Sequence, residues 1–133
     1  MNKNDINHLK GTNWKLVSYS NIKNDNIIKI SKNEKYTLEF DEYKNELIVW
    51  DDCPEYIFKY IYDGNNKITF LCFAIVNIHI PGKKFSSFSI IEPLKNSYAF
   101  KINGNRLSIY CNKYISTGSQ EKIIKIVLNF IKK

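Results

Sequence analysis

A mainly β domain is what this sequence predicts: an antiparallel meander of about eight short strands, curled into a barrel or half-barrel, with one or two short helices. No second domain is expected within residues 1–133. Three observations carry the prediction. Apolar side chains recur at every second position in segment after segment, the period of a strand with one buried face. Glycine and asparagine clusters separate those segments, and both residues accept the positive φ angles of tight turns. Hydrophobic residues make up 44% of the chain and aromatic residues 14%, enough at 133 residues for one packed core without disulfide or metal staples. Curling follows because it leaves few strand edges exposed.

The elements follow in order. Asn4 and Asp5 suit a helix N-cap, Ile6 and Leu9 lie three apart, and Gly11 suits the left-handed residue that ends a helix, so one short helical turn opens the chain. From Trp14 the pattern alternates, with Trp14, Leu16 and Ser18 on one side of a first strand and Lys15, Val17 and Tyr19 on the other. Residues 21–33 are polar and read as a loop in which Ile27, Ile28 and Ile30 form at most a short edge strand. Tyr36, Leu38 and Phe40 alternate with Lys35, Thr37 and Glu39, which predicts a strand with one wet face. A turn around residues 43–45 leads to a strand over 46–50, and Pro54, which cannot donate to a ladder, marks a bend before a strand over 56–62.

Asp63-Gly64-Asn65-Asn66 predicts a hairpin joining that strand to one over 67–73. Residues 75–80 form a separate segment ending at Pro81-Gly82. Residues 85–95 are expected to hold a strand and then a helical turn near 89–94, kept short by Pro93. Asn103-Gly104-Asn105 joins strands over 98–102 and 106–111. Residues 112–122, with Ser116, Thr117, Gly118 and Ser119, read as a mobile loop. Ile124, Ile126, Leu128 and Phe130 then line one face of a closing strand.

A net charge of +7 raises nucleic acid, an anionic membrane or an acidic partner as binding surfaces. Arg106 is the sole arginine, whereas bidentate reading of phosphate or guanine is chiefly an arginine task. The abundance of Lys, Asn and Ile, the residues of A- and T-rich codons, accounts for the basic balance without a partner. Both observations point away from nucleic acid. Cys53, Cys72 and Cys111 are odd in number and widely spaced, matching neither a disulfide framework nor a CxxC motif. His8 and His79 stand apart from each other and from the cysteines, so no metal-ligand spacing is present and no cofactor is expected.

The longest nearly continuous apolar run, residues 68–76, falls well short of the roughly 20 residues of a membrane helix. The polar N-terminus lacks the apolar core of a secretory signal. Two locations therefore stay open: the cytoplasm, or the cell envelope after removal of a signal or lipobox segment.

Asp51, Asp52 and Glu55 form the one dense acidic group, around Cys53. Paired carboxylates can perform acid and base chemistry or hold a hard cation, but adjacent strand residues point to opposite faces, and a solvated turn beside Pro54 is the better account of the group. Nearby acids also disfavour the thiolate that a nucleophilic Cys53 would need. No G-x-S-x-G elbow, Walker loop, HExxH or dinucleotide fingerprint is present, and the chain is read as a non-enzyme. Tyr56, Phe58, Tyr60 and Tyr62 put four rings on one face of a strand, either a stacking platform for a base, sugar or lipid tail, or barrel core. A ligand or partner site, where one exists, is expected among Trp14, Trp50, Tyr56, Phe58 and Tyr60.

The stretch Leu9-Lys10-Gly11-Thr12-Asn13-Trp14-Lys15-Leu16 resembles the opening of META domains, the HslJ-like family, in which a leucine, a Gly-Thr step and a Trp-x-Leu strand begin the fold. Later pieces fall in the same order. Residues 36–40 resemble the family's second strand; Asp52-Cys53, Tyr56, Tyr60 and Asp63-Gly64-Asn65 its cysteine turn and hairpin; residues 98–107 its tyrosine strand and Gly-Asn turn; and residues 127–130 its last strand. Asp52 and Pro54 stand where the family has Gly and Asn, and its Thr-x-Met-Ala-Cys stretch is absent. The resemblance implies a non-enzymatic module in bacterial envelope maintenance or stress response, acting on an unknown protein partner.

Residues 11–18 also resemble the first strand of lipocalins and fatty-acid-binding proteins, which implies a carrier of a small apolar ligand. Residues 21–33 are short and polar for the helical lid of those binders, and no arginine stands in residues 127–133.

Overall fold

The chain enters its sheet through a corner made by Leu9, Gly11, Thr12 and Trp14. A 3-10 turn, Ile6–His8, delivers a buried Leu9, and Gly11 turns the backbone with φ +73°. The Gly11 N–H donates to Phe40 O at 3.2 Å, and Phe40 N–H donates back to Thr12 O at 2.9 Å. Trp14 Nε1 donates to Thr12 Oγ1 at 2.7 Å, and that hydroxyl in turn donates to Leu9 O. The indole is 1% exposed, so this relay gives its N–H a partner where water cannot reach.

A computed structural model describes residues 6–23, 26–52, 55–64, 67–77 and 88–133. Among these residues the strands are β1 (Asn13–Asn21), β2 (Ile27–Lys29), β3 (Tyr36–Phe40), β4 (Glu46–Asp51), β5 (Glu55–Tyr62), β6 (Ile68–Asn77), β7 (Ser97–Asn103), β8 (Arg106–Thr117) and β9 (Gln120–Lys132), with a helix, α1 (Ile91–Lys95), before β7. They form a curled antiparallel half-barrel in the order β6-β5-β4-β3-β1-β9-β8-β7, with β2 a short edge strand on β1. The predicted fold class is the observed one. Among the described residues, a bridge from Lys67 to Ala99 and α1, which packs against β6 and β8, span the gap between the two ends of the sheet.

Inside, the alternating apolar residues meet. Trp14, Phe58, Phe70, Phe100 and Phe130 are all at most 2% exposed and share one core with Leu38 and Leu128. The four-ring series on β5 faces this interior along its length: Phe58 and Tyr60 are buried, Tyr56 and Tyr62 half-buried against the same core.

Four expectations need correction. The alternation of β1 does not run unbroken, because β9 pairs Leu16 with Phe130 and then Ser18 with Asn129, leaving Val17 as a one-residue bulge. An extra residue reverses the faces beyond it. Tyr19 therefore packs inward opposite Leu128, while Ser18 Oγ accepts from Asn129 Nδ2 at 3.2 Å. The segment over 75–80 is not separate as far as Asn77: β6 runs on through register shifts against β5, one of which inserts Phe73.

Residues 112–122 are not a loop. β8 and β9 stay paired from Arg106 and Ile131 to Thr117 and Gln120, closed by a two-residue turn in which Gly118 has φ +63°. Glycine at the first turn position suits a II′ hairpin, and the ladder is backbone, indifferent to the polar side chains that suggested a loop. Finally, the outer face of β3 is not all wet, because Thr37 is 7% exposed beside its cross-strand neighbour Trp50. Asn4, Asp5, Cys53, Pro54, Asn65, Asn66, His79, Pro81 and Gly82 lie outside the described residues, as does any strand in residues 78–87.

Tyr60 is 2% exposed, and its hydroxyl has no hydrogen-bond partner. Burial, reinforced by the charge of Asp41, pushes its pKa up, so it stays a neutral phenol. Its ring packs edge-on to Phe40 at 5.9 Å and Phe70 at 6.3 Å. Tyr60→Phe keeps the ring and removes the unpaired hydroxyl, so stability is expected to hold or to rise by up to about 1 kcal/mol in urea denaturation. A loss of similar size would mean that the hydroxyl is bonded in solution.

Candidate functional site

A cleft of about 360 Å3 opens at the rim of the half-barrel, where α1 meets the far part of the β8–β9 hairpin. Tyr19 lies flat against Phe88, ring centroids 4.5 Å apart and planes 8° from parallel, and Tyr36 meets Phe88 edge-on at 5.2 Å. Pro93 and Ile126 extend the apolar surface, while Tyr114, 53% exposed, stands on the hairpin. Asn96, Asn112, Glu92 and Lys113 supply polar groups.

Each position has a local cause. The Val17 bulge turns Tyr19 inward. Residues 88–90 are tied to the barrel by Asp51 and Tyr36. Asp51 accepts from Ser89 Oγ at 2.7 Å and from Ile90 N–H at 2.9 Å, and the Tyr36 hydroxyl reaches Phe88 O at 3.1 Å. On the hairpin side, Asn112 N–H donates to Asn96 O at 2.9 Å, fastening β8 to the end of α1.

Asp51 is thus a positioning group for this rim. Burial raises its pKa above the ordinary 3.8, against the hydrogen bonds from Ser89 and Ile90 that lower it, with the Asp52 charge adding to the rise. A carboxyl raised on folding binds its proton more readily in the native state, so its favourable contribution is complete below 3.8 and disappears as pH rises through the raised value. Asp51→Asn abolishes that dependence. Relative to the parent, its stability is expected to improve as pH rises from just below 3.8 into the window above it, then to level off. Urea midpoints across that window check the slope; parallel curves would contradict it. Asp41 behaves oppositely, lowered by the backbone N–H groups of Lys44 and Tyr43 (each 2.8 Å), but it is common to both proteins.

The acidic group around residue 51 is split, as strand geometry requires. Asp51 turns to Ser89 and Ile90, while Asp52 Oδ1 accepts from Lys35 N–H at 3.0 Å and Asp52 N–H donates to Lys35 O at 2.7 Å. Asp52 is the one non-glycine among the described residues with a positive φ, +65°.

None of the five side chains singled out in the sequence lines the rim cleft. Trp14, Phe58 and Tyr60 are core. Tyr56 is half-buried beside Phe58, ring centroids 6.5 Å apart. Trp50 faces outward, into a shallow hollow of about 290 Å3 shared with Thr37, Glu39 and Lys133. The cleft residues escape sequence reasoning because the alternation puts Tyr19 on the wrong face and the polar composition puts Asn112 and Tyr114 in a loop. Gly118-Ser119, a two-residue turn between β-branched stretches, was the signal that would have extended the hairpin.

Among the described residues no group of three His, Cys, Asp or Glu side chains could hold a metal ion, and no helix is long and apolar enough to cross a membrane. Cys72 and Cys111 are free thiols, and burial pushes the Cys111 thiol up, away from the reactive thiolate. Compared with protein families, curated proteins and solved structures, the chain matches no family model, no curated protein and no solved structure.

Proposed function

We propose that the chain is a non-enzymatic module of the META/HslJ-like type, serving bacterial envelope maintenance or stress response through contact with a partner. The observation that carries the reading is the position of the Trp14 strand, between β3 and the final strand β9, with the Leu9–Trp14 motif building the corner that fixes it. Asp52 lends support. It replaces the glycine of the family pattern and has φ +65°, a conformation that glycine takes freely and that Asp tolerates better than most residues.

Deleting the gene in its native cell tests the role. The expected result is hypersensitivity to a membrane-permeabilising peptide, reversed by the chain supplied in trans. Unchanged resistance would end the envelope reading.

A carrier of a small apolar ligand, of lipocalin-like type, is the second reading. The size of the rim cleft is what supports it, since about 360 Å3 lies within the range of ligand pockets. Against it, the interior proper is filled by Phe58, Phe70, Phe100 and Phe130. Native mass spectrometry beside organic extraction, with a fluorescent fatty-acid titration, decides; the absence of both a bound species and a saturable signal would dismiss the carrier.

A further inference from the structure

We propose that the rim cleft is a carbohydrate site, taking a neutral sugar one or two rings long between the Tyr19–Phe88 stack and the β8–β9 hairpin. The inference rests on the reading that this chain acts by binding, and it adds the class of ligand. The polar atoms available are mixed in kind. The Asn112 side-chain amide carries both a donor and an acceptor, as the Tyr114 hydroxyl does. Asn96 donates its Nδ2 to Glu92 O at 2.9 Å, which leaves its side-chain oxygen to accept. A sugar hydroxyl also donates and accepts, so a polyol can satisfy such a lining without stranding a desolvated group.

The apolar surface suits the other half of a sugar. Aromatic rings at Tyr19, Phe88 and Tyr114, with Pro93 nearby, offer flat carbon surface to the C–H face of a pyranose. Charge then separates this ligand from its competitors. Among the described residues of the lining Lys113 is the sole cation and Glu92 the sole anion, and Glu92 lies 3.6 Å from Lys95 outside it. A phosphate would find no arginine fork and, among the described residues of the lining, one lysine. A fatty-acid tail would lie over the Asn96 and Asn112 amides and remove them from water without a partner.

The test is an NMR titration of the isotope-labelled full chain with methyl α-D-glucopyranoside and with N,N′-diacetylchitobiose, alongside separate titrations with octanoate and adenosine monophosphate. Saturable shifts are expected with at least one of the two sugars, centred on Tyr19, Asn112, Tyr114 and Ile126. Asn112→Ala should weaken binding roughly 3–10-fold, the effect of removing one hydrogen-bonding partner. Tyr114→Ala, at an exposed position, repeats the test should the first variant fold poorly, and Tyr43→Ala, outside the cleft, should bind as the parent does. No saturable shift of the lining with either sugar overturns the proposal, as does sugar binding that neither cleft variant weakens. A lining that answers only octanoate or only the nucleotide overturns it too. The gene-deletion phenotype is unaffected by these outcomes, so this inference and the module reading fail separately.

Discussion

Trp14→Ala is expected to destabilise the protein by about 3–5 kcal/mol, the range for emptying a buried aromatic site. The indole is 1% exposed at the centre of the sheet, on the strand that pairs with β3 on one side and β9 on the other. Its loss would leave a cavity against Leu38, its partner across β3, and would strip the Thr12 hydroxyl of the N–H that it accepts. Trp14→Phe separates the two effects. It keeps an aromatic ring in the site while deleting the donor and part of the ring, so a smaller cost of about 1–2 kcal/mol is expected. Urea denaturation followed by circular dichroism gives both numbers. A cost below about 1 kcal/mol for the alanine variant would mean that the opening corner does not hold the sheet together.

That corner shows which parts of the fold are legible in a sequence. Leu9, Gly11, Thr12 and Trp14 interact within six residues of one another, so their spacing encodes the geometry directly. The same holds for Asn103-Gly104-Asn105, where a turn of fixed length sets the register of β7 on β8. The Val17 bulge leaves no such mark. It arises because β9 pairs with β1 over a hundred residues away, and only that partner reveals that the inward face passes from Leu16 to Tyr19. The rim cleft was illegible for a related reason, since Tyr19, Phe88, Asn112 and Ile126 come from four separate stretches of chain. Composition misled in one place: the polar side chains of residues 112–122 describe an exposed hairpin as well as they describe a loop, because a two-stranded ladder is held by its backbone.

Leu94→Ala is expected to cost about 2–5 kcal/mol, with the damage concentrated at the seam of the half-barrel. Alone, the five residues of α1 would not hold a helix, because nucleating a turn fixes several residues for one hydrogen bond. Pro93 sits in its first turn, where a missing N–H is harmless. What holds the segment is docking. Ile90 and Leu94 are both 0% exposed, Asp51 accepts the Ile90 N–H, and Ser97 Oγ closes the other end on Leu94 O at 2.7 Å. This plug packs on β6 and β8 at the seam between the sheet's two ends, β6 and β7, which do not close by a ladder of their own.

Truncating Leu94 should therefore raise hydrogen exchange in α1 and along β6 before it reaches the central pairing of β1 with β3 and β9. The Tyr19–Phe88 stack should loosen with it, since Phe88 enters the rim on the same segment. Uniform acceleration across the sheet would instead make α1 part of a single cooperative core, and a cost below about 1 kcal/mol would show that the barrel ends hold without their plug.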